Sequence, residues 1–371
     1  MKIAIALFSP IFCMAFISTT HAVSDSEYDE YGGWKKIAGQ KTGYFHTQKI
    51  SGKWWLVSPE GNVFFSKGVN SVHPPFAESF HGGADVAAGF LKTWGMNTAG
   101  CWSDPDLFKE HVAVAYRLKI TGAPSKAFPD VFDPAWRAGV ERAAQTLCMP
   151  FVNNPWILGY FTDNERPWMH DDKAEDFVKE FLKLPPSSPG YKEALRAKNS
   201  GSLAMKSFRE KAAEIYFRTT AEAVRKADPN HMILGCRFAG TPPLGVVGKM
   251  KGYADVISIN NYREHPPVER LKEMSDAADL PVMVTEFSFK APAGALPMTG
   301  SGPEKPTQTE RALGFHEYAR EVASQGFCVG YHWFKYGENW QGTLQSDGTP
   351  WPELTKAFAD LNRSVEQIHQ Q

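Results

Sequence analysis

Two glutamates that each close an apolar run are the residues whose types and spacing could do chemistry. In Trp156-Ile157-Leu158-Gly159-Tyr160-Phe161-Thr162-Asp163-Asn164-Glu165-Arg166-Pro167-Trp168 a branched and aromatic stretch, the pattern of a buried strand, breaks abruptly into a carboxylate beside Asn and Trp. Pro281-Val282-Met283-Val284-Thr285-Glu286-Phe287 is built the same way. A charge next to a core is costly unless it is paired or used, so two such strand ends argue for use. Two carboxyl groups facing each other suit hydrolysis of a glycosidic bond, one protonated to assist the departing oxygen and the other ionised to attack the sugar carbon. A pair held about 5–5.5 Å apart favours retention of configuration. On this reading Glu165 is the acid/base and Glu286 the nucleophile. A structural role competes at the first stretch, with Asp163 or Asn164 capping the next helix and Pro167 in its first turn.

The elements that must position these groups follow from periodicity. Residues 53–57 and 62–65 flank Ser58-Pro59-Glu60-Gly61 and read as a β-hairpin. Strands are expected at 66–69, 97–102, 112–120, 157–161, 231–236, 255–259, 281–285 and 329–334, with helices at 84–94, 135–149, 171–184, 203–227, 307–325 and 351–364. Asp133 and Pro134 give the second helix its cap and first position. Residues 185–190, Pro-Pro-Ser-Ser-Pro-Gly, read as an insertion within one unit, and 291–306 as a Gly- and Pro-rich loop walling a cleft. Eight strands alternating with helices imply an α/β fold, the (β/α)8 TIM barrel. The expected division is a signal peptide at 1–22, a short N-terminal β-rich cap at 23–62 and a catalytic barrel at 63–371.

In such a barrel the reacting groups lie past the carboxyl ends of the strands. Strand one delivers Asn70 and His73 there, and strand two Trp102. Strand four delivers Asn164, Glu165 and Trp168, strand five Arg237, and strand six Asn261 and Tyr262. Strand seven ends on Glu286 and strand eight on Trp333. Arg237 or Tyr262 would hold Glu286 ionised, and Asn164 would bond the hydroxyl next to the reacting carbon. Trp102, Trp168 and Trp333 would line a glycan path, with Trp333 under the reacting sugar. Each has an ordinary alternative: Arg237 as a surface ion-pair partner, Trp102 and Trp333 as core, His73 and His332 as structural histidines.

Composition narrows the partners. The 40 Lys and Arg against 41 Asp and Glu leave a formal charge of −1, so nothing electrostatic draws the chain to nucleic acid or an anionic membrane. A neutral or weakly charged glycan fits better, and 11 Trp suit stacking on sugar rings. Lys2, an apolar centre and Thr20-His21-Ala22 make the first 22 residues a secretory signal, implying a secreted or periplasmic protein without stable membrane insertion. Cys101, Cys148, Cys236 and Cys328 are scattered, which disfavours a zinc site or disulfide scaffold and suits small core residues. His316-Glu317-Tyr318-Ala319-Arg320 lacks the second His of a zinc helix, and no metal or other cofactor is expected.

Asn164-Glu165 on strand four with Glu286 on strand seven resembles the signature of the clan A glycoside hydrolases. Several phrases resemble, more narrowly, the family 50 β-agarases. They are Trp54-Trp55-Leu56-Val57-Ser58-Pro59-Glu60-Gly61, Phe64-Phe65-Ser66-Lys67-Gly68-Val69-Asn70, Pro129-Asp130-Val131-Phe132-Asp133-Pro134 and Leu158-Gly159-Tyr160-Phe161-Thr162-Asp163-Asn164-Glu165. The resemblance implies hydrolysis of β-1,4 bonds in agarose with retention and without cofactor. It departs in one respect: family members carry a sizeable module before the barrel, and here only some thirty residues lie between the expected signal peptide and Trp54. A β-galactosidase, a hydrolase of β-glucan, mannan or porphyran, and a non-catalytic sugar-binding barrel are the alternative readings.

Overall fold

The computed structural model describes residues 27–72, 83–108, 110–124, 127–294, 298, 300–337 and 339–371. The expected signal segment and His73 lie outside the described residues.

The chain first makes a small antiparallel sheet from β1 (Trp34–Ala38), β2 (His46–Ile50), β3 (Lys53–Val57) and β4 (Asn62–Phe64), in the order β1-β4-β3-β2. Ser51 and Gly52 join β2 to β3 with φ of 50° and 80°, the two positive values that a tight hairpin twisting with its strands requires. Leu56 of β3, Phe64 of β4 and Phe45 share one apolar cluster with Ala113, Leu158, Met232, Val256, Met283 and Val329. Most of these partners stand at or near the beginnings of the parallel strands. The small sheet therefore closes the amino-terminal end of the barrel and leaves the opposite end open for polar groups.

Nine parallel segments follow: β5 (Ser66–Val69), β6 (Thr98–Ala99), β7 (Ala113–Arg117), β8 (Ile157–Phe161), β9 (Met232–Ile233), β10 (Phe238–Ala239), β11 (Ile257–Asn260), β12 (Val282–Phe287) and β13 (Cys328–Trp333). Their order, β10-β11-β12-β13-β5-β6-β7-β8-β9, begins and ends on two pieces of one stretch. Between those pieces the Leu234 amide donates to the Tyr160 carbonyl on one side, and the Arg237 amide to Ser258 Oγ on the other. β9 and β10 are thus one interrupted strand that pairs with β8 below and β11 above, and the ring closes on eight strands as the alternation implies.

Outward strand residues, among them Ile157, Tyr160, Ile257, Ile259, Val282, Val284 and Tyr331, pack under the surrounding helices in a second, larger cluster. The helices include α1 (Gly83–Thr93), α2 (Pro105–Phe108), α3 (Pro134–Cys148), α4 (Ala174–Phe181), α5 (Pro189–Asn199) and α6 (Ser202–Ala227). They continue with α7 (Leu244–Val247), α8 (Val268–Ala278), α9 (Gln308–Ala323), α10 (Pro352–Asn362) and α11 (Val365–Gln370). Asp133 caps α3, its carboxylate accepting from the Ala135 amide at 2.8 Å. The stretch read as a plain insertion at 185–190 instead starts α5. Ser188 caps it and Pro189 opens it, a start signal that the neighbouring prolines obscured. The four cysteines are buried free thiols. No helix among the described residues is long and apolar enough to cross a membrane.

Leu56 is fully buried against the barrel floor, whereas Leu203 at the start of α6 is 77% exposed. Leu56→Ala is expected to cost about 2–5 kcal/mol. Leu203→Ala should stay within about 0.5 kcal/mol. Denaturant midpoints of the two variants check this, and equal midpoints would remove Leu56 from the floor.

Candidate active site

The open end of the barrel gathers its polar side chains by strand register. Asn260 at the end of β11 stands opposite Glu286 in β12, after an irregularity at Thr285 that brings both side chains inward. Sequence reading put Glu286 just past its strand; it lies within β12, which runs one residue further. Glu286 is buried, with Oε1 accepting from Arg237 Nη2 and Oε2 from the Tyr262 hydroxyl.

Arg237 is the junction of the site. Its Nε donates to Asn164 Oδ1 at 2.9 Å, and its Nη2 to Asn260 Oδ1 at 3.3 Å as well as to Glu286. Asn260 in turn donates from Nδ2 to Glu165 Oε1 at 2.9 Å and to Asn164 Oδ1 at 3.3 Å. The Thr285 hydroxyl holds the Asn260 carbonyl oxygen at 2.9 Å. One continuous set of hydrogen bonds therefore links Glu165 to Glu286. The Trp102 ring lies beneath the Arg237 guanidinium, 4.7 Å from Cζ to centroid, and Phe161 is 5.0 Å from it. Asn70, buried, donates to the carbonyls of Thr285 and Trp333 and ties β5 to the site from below.

The backbone is strained at the same end. Ser71, Trp102, Glu165 and Arg237 all have φ between 52° and 63°, left-handed values that cost a side-chain-bearing residue roughly 1–3 kcal/mol each. The Glu165 amide donates to the Arg237 carbonyl at 2.9 Å, so two of the strained residues fix one another. Such residues cluster where a structure holds groups for use.

The competing capping role at the first stretch does not occur. Asp163 is occupied by Arg166, Thr121 and the Tyr216 hydroxyl, at 2.6, 3.0 and 2.8 Å. Arg166 goes on to bind the carbonyls of Ala123 and Ala127, securing the loop after β7. Asp163 and Arg166 are thus a buried clamp beneath the site, and Asn164 and Glu165 face the open end, hydrogen-bonded to Arg237 and Asn260.

Three expectations need correction. Trp168 is a core side chain, packed among Phe128, Phe177, Tyr216, Phe217 and Phe238. Trp333 faces the helices, against Phe287, Phe315 and Phe358, with its indole N–H on the Gln341 carbonyl. It shares strand parity with Tyr331, and the inward neighbour is His332, whose Nε2 contacts Ser66 Oγ at 2.8 Å. Gly68 makes room for that imidazole, since a Cβ there would collide with it. Asn261 is turned away as well, its carbonyl and side-chain oxygens accepting from the Tyr318 hydroxyl of α9. The inward residue is Asn260, one position earlier, which sequence reading missed. The strict alternation of a strand was the signal that could have found it.

No family model matches the chain. Beta-agarase B of Vibrio sp. (strain JT0107) is 24% identical over 91% of this chain and 50% of its own length. Beta-agarase A of the same strain is 25% identical over 75% of this chain and 35% of its own length. The chain resembles the β-agarases. It spans half the length of the first of these curated relatives and about a third of the second. Among solved structures, an agarase, AgWH50C, superimposes with a TM-score of 0.81 at 23% identity, over 93% of this chain and 67% of its own. An exo-beta-agarase gives 0.81 at 20% identity, over 92% and 68%. BpGH50 gives 0.81 at 23%, over 93% and 87%. The agarases share the fold over nearly all of this chain, barrel and small sheet together.

Within the site, burial pushes the Glu286 carboxyl up from its ordinary value, with the charge of Glu165 adding to the rise. The Arg237 guanidinium and the Tyr262 hydroxyl oppose it. Burial and the charge of Glu286 push the Tyr262 hydroxyl well above its usual range, so it remains a donor. His332 is driven down to about 3 by burial and by Arg237, and its ring is neutral. A cavity of about 490 Å³ between the small sheet and the barrel, lined by Tyr31, Lys35, Lys92 and Trp156 among others, includes none of the site's residues. No cluster of three or more His, Cys, Asp or Glu among the described residues is disposed to hold a metal.

Trp168→Ala is expected to cost about 3–5 kcal/mol, as for other buried aromatics. Trp102→Ala, a half-buried ring at the mouth, should cost clearly less. Chemical denaturation of both checks the assignment, and a Trp168→Ala protein of unchanged stability would return that ring to the cleft.

Proposed function

We propose that the chain is a secreted retaining glycoside hydrolase acting on β-linked galactose-containing polysaccharide or oligosaccharide, in the manner of a β-agarase. The observation that carries this reading is the hydrogen-bonded set Glu165–Asn260–Arg237–Glu286, two inward carboxyl groups held by neutral and cationic donors at the open end of the barrel. The agarase relatives supply the substrate class, and residues 1–22 supply the route out of the cell.

In the first half of the reaction the Glu165 carboxyl gives its proton to the glycosidic oxygen as the bond from that oxygen to the anomeric carbon breaks. Glu286 bonds to the carbon from the opposite face. Asn260 already donates to Glu165 Oε1, which leaves Oε2 to carry the proton toward the sugar. In the second half water loses a proton to Glu165, attacks the same carbon and releases Glu286 as a carboxylate. Two inversions give net retention. Arg237 and Tyr262 keep Glu286 oriented and favour its ionised form. Asn164 spends its oxygen on Arg237 and Asn260, so its amide N–H groups are the donors for the hydroxyl beside the reacting carbon.

Glu165→Gln should slow turnover of agarose and of an aryl β-galactoside by about 10²–10⁴ while leaving the fold intact. Glu286→Gln should be at least as severe, and the first product seen by NMR should keep the β configuration. Near-native rates in either variant, or an inverted first product, would sink the reading.

Arg237→Met takes away a cation that favours ionised Glu286, so less of the carboxylate is present at a given pH. The acid limb of the kcat/KM profile should move to higher pH. An unmoved limb would mean that Glu286 is not the group whose ionisation that limb reports.

A further inference from the structure

We propose that Arg117 forms a subsite for an anionic substituent, a sulfate ester or a carboxylate, carried by the sugar chain. The proposal rests on the glycoside-hydrolase reading above and names a substrate feature that the reading leaves open.

Arg117 is the last residue of β7, in step with the inward Ala113 and Ala115, so its side chain enters the barrel mouth. Its guanidinium stands 5.2 Å from the centroid of the Trp102 ring, the ring that also lies beneath Arg237. The two arginines differ in what they hold. Arg237 is committed to Glu286, Asn164 and Asn260. Arg117 is half-buried, and among the described residues it has no carboxylate at ion-pair distance and no hydrogen-bond acceptor, only the indole face. A half-desolvated guanidinium without a counterion is unfavourable unless something else completes it. Its planar fork fits the paired oxygens of a sulfate or carboxylate.

Charge accounting over the site points the same way. In the state ready to react Glu165 is protonated and Glu286 ionised. Glu286 then balances Arg237, while Tyr262, His332 and the buried Cys101 thiol, pushed up to about 11 by burial, are all neutral. Among the described residues, Arg117 is left without a carboxylate at ion-pair distance beside the substrate path. For a wholly neutral chain the Arg117 charge has no counterpart; for an anionic one it supplies a fixed partner.

The test is calorimetric binding to the Glu165→Gln protein, which mimics the protonated acid and turns substrate over about 10²–10⁴ times more slowly. Three forms of one β-galactan oligosaccharide serve as ligands: unsubstituted, sulfate-esterified, and bearing a carboxylate. At least one anionic form should bind about 10–100-fold tighter than the neutral one, the range for a charge-assisted hydrogen bond. Which anionic form gains distinguishes sulfate from carboxylate. Added salt should erode the preference. Adding Arg117→Met should abolish it and leave the neutral affinity within about threefold, whereas Arg117→Lys should keep part of it and confirm that charge is being read. Intact binding with no anionic preference, or equal losses on neutral and anionic ligands in Arg117→Met, overturns the proposal and spares the reading of the site. Binding of none of the three removes both.

Discussion

The buried contact between Arg237 and Glu286 is the constraint on which the site depends. Each ion loses several kcal/mol of hydration, and their attraction together with the hydrogen bonds around them works against that loss. Those bonds come from separate elements: Asn164 after β8, Asn260 from β11 and Tyr262 beyond it. Breaking such a pair by removing one partner typically costs about 3–5 kcal/mol, since the other charge is left buried alone. The consequence is a demand on register. A slip of one residue in β11 or β12 would turn Asn260 or Glu286 out toward the helices, because strand side chains alternate faces.

The rest of the molecule meets that demand by separating its two ends. Apolar side chains of the small sheet fill the amino-terminal end, where Leu56 and Phe64 complete a core begun by the first residues of the parallel strands. Helices seal the outer face with a second apolar cluster. This leaves the carboxyl ends as the place where charge and strain can be held. Strained residues cluster there, and the Asp163–Arg166 clamp beneath Glu165 secures the loop after β7. Gly159 shows how tight the wall is, since a Cβ there would fall 2.6 Å from the Met232 carbonyl oxygen.

The likeness to β-agarases has a defined reach. The fold is shared with solved agarases over more than nine-tenths of this chain, at identities of 20–23%. At that distance individual contacts must be read from this molecule alone. Here the network around Arg237 and the uncommitted Arg117 beside it carry more about substrate than overall shape does. The abundance of tryptophan carries less, for Trp34, Trp55, Trp94, Trp168 and Trp333 are all buried structural residues. Of the three rings expected along a glycan path, only Trp102 stands at the mouth.

What the sequence determined by itself was the alternation of strands and helices, the Asp133 cap that starts α3, and the two glutamates that end matching apolar runs. These are local properties: periodicity, an Asp before a Pro, a polar residue where hydrophobic character stops. Asn164, Arg237 and Tyr262 were legible for the same reason, each lying at a visible strand end. Only the tertiary structure decided which face each residue took. Irregularities in β8 and β12 shift the alternation by one, so a strand end known to within a residue does not give a side-chain direction. Asn260 rather than Asn261 joins the two carboxyl groups because β11 alternates in step from Ile257 and Ile259, which face the helices, and an irregularity near the start of β13 sets Trp333 outward and His332 inward. The division of the strand expected at 231–236 was also a tertiary outcome, because β9 is held by pairing with β8 and β10, which lies beyond the expected strand, by pairing with β11.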